Sequence, residues 1–227
     1  MDADSIQLIR DRYLLLLVRL QNVAAANGHD PERLRIVGVT KTRPPELARV
    51  AFEAGITLLG ESRVQEAEPK IAAVPEAEWH FIGRLQSNKV RRAVRAFAVI
   101  HAADSPAVLE RLDATAAEER MGPRVLLQVN VGGETMKAGL LPEALDAVTP
   151  PRTARLVGLM TIARMGATDD EARATFRRLR ELRDRLQERI GMALPELSMG
   201  MSADAEAAAA EGATLVRIGT ALFGPRG

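Results

Sequence analysis

Eight short apolar runs recur between Val37 and Thr220, each separated from the next by a segment with helical patterning, and few folds accommodate that alternation. The runs fall at 37–41, 57–62, 78–83, 98–101, 125–131, 156–162, 197–201 and 215–220. A continuous apolar run bounded by turn residues predicts a strand buried on both faces, as in a parallel sheet covered by helices. Helices are predicted at 46–54, 64–73, 87–96, 106–120, after Pro142, at 169–190 and at 204–211. One more precedes the first strand: Ile6, Ile9, Tyr13, Leu16, Leu17, Leu20 and Val23 repeat at helical spacing and Asn27-Gly28 closes them. The count is that of an α/β chain folded as a single (β/α)8 TIM barrel. A length of 227 residues suits one such barrel, and no linker or low-complexity tract divides it. Residues 1–227 therefore read as one domain, with the helix in 1–30 packing on the barrel.

The balance of charge narrows the partners. A net charge of +1 argues against nucleic acid or an anionic membrane as the main partner. Charges of both signs interleave along 169–190, which predicts a solvated outer face. Zero cysteines exclude disulfides, thiolate metal sites and cysteine nucleophiles together. The acidic Met1-Asp2-Ala3-Asp4 start and the short run at 14–18 predict no signal sequence and no membrane span, hence a cytoplasmic protein. No exposed apolar stripe is evident, and a monomer is expected.

Lys41 stands at the C-terminal end of the first predicted strand, the edge where barrels carry their chemistry. Of the 31 basic residues only Lys41, Lys70, Lys89 and Lys137 are lysines. A chain that otherwise writes arginine has retained an amine there, and an amine can form a Schiff base where a guanidinium cannot. In a closed barrel the first strand adjoins the eighth, and the loops after strands seven and eight commonly bind phosphate. Gly200-Met201-Ser202-Ala203-Asp204 and Gly219-Thr220-Ala221 supply small residues and hydroxyls at those two turns. Alternation along Val216-Arg217-Ile218-Gly219 turns Arg217 inward, where it needs a partner: an inward acid such as Glu61, or a ligand. An amine, a phosphate cradle and an inward arginine together describe a pyridoxal phosphate site.

Several motifs in order carry a more specific likeness: Val39-Thr40-Lys41-Thr42, Gly60-Glu61, Trp79-His80-Phe81-Ile82-Gly83 with Leu85-Gln86-Ser87-Asn88-Lys89, Gly158-Leu159-Met160, Leu197-Ser198-Met199-Gly200-Met201-Ser202 and Arg217-Ile218-Gly219-Thr220-Ala221. From Ile36 to Gly224 the chain resembles the pyridoxal phosphate homeostasis proteins. The resemblance implies a barrel like the N-terminal domain of alanine racemase, with pyridoxal 5′-phosphate held as a Schiff base on Lys41. It implies a phosphate held by Ser202, Gly219 and Thr220, Arg217 facing the pyridine nitrogen, and further contacts from Met201, His80 and Ser62. Ser62 departs from the asparagine common at its position in the family, and the surroundings of Lys137 depart too. The implied role is cofactor homeostasis without established turnover, the partners being pyridoxal phosphate and the apo-enzymes that use it. The enzymatic alternative is a weak amino-acid racemase or lyase. Against it, a two-base racemase of this kind uses a tyrosine from an added β domain, whereas the sequence ends at Gly227 and its single tyrosine, Tyr13, lies in the first helix. His29 and His101 carry no signal, and no spacing suggests a metal site.

Overall fold

The computed structural model describes residues 3–134 and 138–225; Lys137 lies outside them. Helix α1 (Ala3–Ala26) precedes β1 (Arg35–Val39), α2 (Pro45–Glu53), β2 (Leu58–Glu61), α3 (Val64–Ala73) and β3 (Glu78–Phe81). Then come α4 (Val90–Ala96), β4 (Val99–Ala103), α5 (Pro106–Glu119), β5 (Arg124–Gln128) and β6 (Arg155–Met160). The chain closes with α6 (Asp169–Ile190), β7 (Glu196–Ser198), α7 (Ala205–Ala210), β8 (Leu215–Ile218) and α8 (Thr220–Phe223). Among the described residues the eight strands form a closed parallel barrel in sequence order, sealed where Val37 of β1 pairs with Arg217 of β8. The helix expected after Pro142 is a 3-10 turn, Pro142–Ala147, and another, Ser87–Lys89, leads into α4.

Local chemistry sets the element ends. Pro45 opens α2 and Pro106 opens α5, where a missing N–H leaves no bond unmade. Thr168 and Glu171 form a reciprocal capping box on α6, and Gly191, with φ 64°, ends it. The strands stop short of the apolar runs at their C-terminal ends: Lys41, Ile82, Ile162, Met201 and Gly219 all lie beyond the ladder. Those surplus residues line the cavity described below.

Two cores result. The larger lies between barrel and helices, with Phe81, Phe176, Ile36, Ile56 and Leu59 fully buried; the smaller lies inside the barrel around Val99, Leu126 and Met160. The N-terminal mouth of the barrel is charged. Arg35, Glu78, Arg124 and Glu196 are the first residues of β1, β3, β5 and β7, so their signs alternate around one layer. Arg35 pairs with Glu196 at 2.6 Å and Arg124 with Glu78 at 2.5 Å.

Two expectations change outside the barrel. The charged face of α6 is only partly solvated, because Arg173, Arg177 and Arg180 converge on the buried carboxylate of Glu211 at 3.0, 2.8 and 3.5 Å. Helix α1 packs on α2, α7 and α8 through Ile9, Leu16, Leu20 and Ala24, yet leaves Leu8, Leu14, Leu15 and Val18 exposed. An exposed apolar face is therefore present. No helix among the described residues is long and apolar enough to cross a membrane.

Candidate functional site

A cavity of about 300 Å³ opens at the C-terminal end of the barrel where β1, β7 and β8 deliver their loops. Lys41, Met201, Ser202, Arg217, Gly219 and Thr220 line it with Val39, Ile82, Ile162 and Ala203. Six of the eight residues expected at the site thus meet at one place.

Lys41 is half-buried just past β1, and the backbone behind it is tightly specified. Thr42 adopts φ 63°, a left-handed conformation that costs a β-branched residue roughly 1–2 kcal/mol. Its hydroxyl donates to the Lys41 carbonyl at 2.6 Å and its N–H to Glu66 at 3.3 Å, which holds the turn. On the outer side of the barrel wall, Lys70 of α3 donates to the Thr40 carbonyl at 2.7 Å and pairs with Glu61. Glu61 also accepts from the Thr40 hydroxyl at 2.8 Å, while its second carboxylate oxygen is buried without a partner. This corrects one expectation. Alternation in β2 turns Gly60 inward and Glu61 outward, so Glu61 serves Lys70 and Thr40 and not Arg217.

Arg217 points inward as expected and donates from Nη1 to Ser198 Oγ at 2.6 Å and from Nη2 to the Thr161 carbonyl at 2.9 Å. Burial pushes its guanidinium down to about 10, which leaves it charged at neutral pH. Five N–H groups minus these two bonds leave donors for a ligand atom in the cavity. The β7 and β8 loops are joined where Ser202 Oγ accepts from the Ala221 N–H at 3.4 Å. Gly219 turns β8 into α8, where the Ala221 amide donates to Ser202 Oγ and the Leu222 and Phe223 amides donate back to the Gly219 carbonyl.

The other two expected residues lie elsewhere. Ser62 borders a separate cavity of about 320 Å³ with Arg63, Arg84 and Lys89, and its backbone packs tightly against Gly83. His80 occupies an inward position of β3 one layer below Ile82, and Ile82 takes the cavity wall in its place. His80 is buried and bonded at both ring nitrogens, to Glu78 at 2.9 Å and to His101 at 2.8 Å. His101 then meets Ser198 Oγ at 2.8 Å. Sequence reasoning missed His101 and Ser198; the available signal was their inward phase on β4 and β7 beside an inward arginine. Tyr13 lies on α1 in the outer layer and does not line the cavity. No cluster of three or more metal-ligating residues exists among the described residues.

The fold and the site together define a (β/α)8 barrel that carries a lysine just past its first strand, hydroxyls in its last two loops and an inward arginine. Residues 20–227 match the family described as alanine racemase, N-terminal domain. The pyridoxal phosphate homeostasis protein of Aquifex aeolicus is 41% identical over 222 residues, covering 95% of this chain and 97% of that protein. Its counterpart in Pseudomonas aeruginosa is 41% identical over 224 residues, 96% of each chain. The solved structure of PipY from Synechococcus elongatus with PLP bound superposes with a TM-score of 0.81 at 40% identity, over 90% of this chain and 100% of PipY. Alanine racemase of Corynebacterium glutamicum shares the fold at 18% identity, with a TM-score of 0.75 over 62% of its length. The chain belongs to the pyridoxal phosphate homeostasis protein family, within the alanine racemase N-terminal-domain family.

Proposed function

We propose that this protein binds pyridoxal 5′-phosphate in the β1/β7/β8 cavity and acts in homeostasis of that cofactor in the cytoplasm. The observation that carries the reading is the convergence of Lys41, Ser202, Arg217, Gly219 and Thr220 on one cavity. The donor set fits the group: an amine for an aldehyde, the Ser202 and Thr220 hydroxyls beside a glycine turn for a phosphate, and a charged guanidinium for a ring nitrogen. The named relatives and PLP-bound PipY support it.

Bound pyridoxal phosphate supplies a reactive aldehyde on an electron-withdrawing ring. Lys41 attaches it covalently and reversibly through Nζ. Ser202, Thr220 and the Gly219 turn hold the phosphate, and Met201 flanks it. Arg217 keeps a proton off the ring nitrogen, because two positive charges there repel. That makes the site a poor stabiliser of substrate carbanions and favours storage over turnover. No tyrosine lines the cavity to act as a second base opposite Lys41. The protein acts as a monomer, and apo-enzymes are the recipients.

The test is the visible spectrum of the purified protein with added pyridoxal phosphate, before and after borohydride, beside Lys41→Ala. The expected result is a band that borohydride abolishes, with cofactor mass left on the peptide carrying Lys41 and none on the variant. A wild type that shows no band overturns the reading. Robust turnover of free amino acids, lost in Lys41→Ala, would replace it with a racemase or lyase.

A further inference from the structure

Arg217 is the last member of a polar column that runs the length of the barrel interior. From the N-terminal mouth the order is Arg124, Glu78, His80, His101, Ser198 and Arg217, with successive contacts of 2.5, 2.9, 2.8, 2.8 and 2.6 Å. These residues come from β5, β3, β3, β4, β7 and β8, so no single element's packing requires them to touch. His80, His101, Ser198 and Arg217 are all buried. Apolar side chains fill the same layers elsewhere, as Val99, Leu126 and Met160 do. A chain of polar groups in that setting is costly unless every member is satisfied, and here each finds a partner at both ends.

The column also has a fixed direction. Glu78 is held at about 2 by its bond to His80 and by Arg124, so it is ionised and can only accept. His80 Nε2 must then carry a proton. Burial lowers both imidazoles, and a neutral His80 presents Nδ1 as an acceptor, so His101 carries its proton on Nε2. His101 Nδ1 in turn accepts from the Ser198 hydroxyl, which leaves the Ser198 oxygen to accept from Arg217. The charged groups facing the two rings are Glu78 and Arg124 at the N-terminal mouth, Arg35 from β1, and Arg217 from β8. With Glu78 ionised and both rings neutral, this is the one arrangement of protons that satisfies all four bonds.

We propose that His80, His101 and Ser198 are positioning residues, a directional hydrogen-bond relay that holds the Arg217 guanidinium toward the ring nitrogen of the bound cofactor. This rests on the pyridoxal phosphate reading of the cavity. Among the described residues Arg217 has two hydrogen-bond anchors, the Ser198 hydroxyl and the Thr161 carbonyl. The relay keeps the first of them pointed the right way, because a Ser198 hydroxyl committed to His101 cannot turn its proton toward the guanidinium. A protonated His101 would donate from Nδ1 to the Ser198 oxygen and release the hydroxyl proton from it, and protonation of both rings would set two N–H groups against each other.

The experiment pairs Ser198→Ala, which removes a single oxygen, with His101→Gln, and reads pyridoxal phosphate affinity and the pH dependence of the visible band. Both variants are expected to bind the cofactor about tenfold more weakly. The band's pH midpoint is expected to rise by about half a unit or more as a looser guanidinium lets the ring nitrogen take a proton. A residue that only packs the barrel would change melting temperature without moving that midpoint. Folded variants with wild-type affinity and midpoint would overturn the proposal. Independently of any cofactor, nitrogen-15 NMR of the wild type is expected to show both rings neutral and protonated on Nε2; a proton on His101 Nδ1 would refute the relay. A wild type with no visible band would defeat the cofactor reading while the NMR result still decided the relay.

Discussion

Replacing Lys70 with methionine isolates the buried pair that backs the lysine-bearing strand. In the native protein Glu61 is fully buried, with Lys70, itself 2% exposed, as its cationic partner. Lys70→Met keeps the aliphatic stem and removes the ammonium, stranding a buried carboxylate that already has one oxygen unpartnered and keeps only the Thr40 hydroxyl. The Thr40 carbonyl loses its 2.7 Å donor at the same time. Breaking a buried pair from one side costs about 3–5 kcal/mol. At roughly 2–4 °C per kcal/mol for a domain of this size, the melting point should fall by about 6–20 °C. Urea denaturation and thermal melts would measure both quantities. Adding Glu61→Gln should recover most of the loss, since no charge remains buried, so the double variant should melt well above Lys70→Met alone. A loss below about 1 kcal/mol in the single variant, or no recovery in the double, would refute the reasoning.

Acid should destabilise the protein in two windows. His80 and His101 are held neutral by burial, below the ordinary 6.5, so the unfolded chain gains protons first; stability is full above about pH 6.5 and declines as pH falls through it. Glu78, held at about 2 by its His80 and Arg124 contacts, adds stability that is present above 4.5 and lost as pH falls toward 2; urea midpoints taken across this range would show both slopes. Gly158→Ala should cost more than about 3 kcal/mol, because a Cβ there would sit 1.9 Å from the Glu196 carbonyl oxygen and force β6 from β7; an unchanged midpoint would mean that the two strands yield easily.

How much was legible in the sequence differs between fold and site. The alternation of apolar runs with amphipathic segments determined the barrel, because strand and helix periods are local properties of the chain. Lys41, Arg217 and the two small-residue turns were legible for the same reason: each sits at a strand end, and the barrel places all strand ends of one direction on one face. What tertiary structure decided was depth and direction across strands. His80 reads as a site residue from its motif, but the register of β3 sets it one layer below Ile82. Glu61 reads as an inward acid, but the phase of β2 gives it to Lys70. His101 and Ser198 carry only the mark of their inward phase, which does not say whom they meet, and their contact joins residues 97 positions apart. Such a pairing depends on the stagger between non-adjacent strands of a closed barrel, which is fixed by closure and twist and not by the residues of either strand alone.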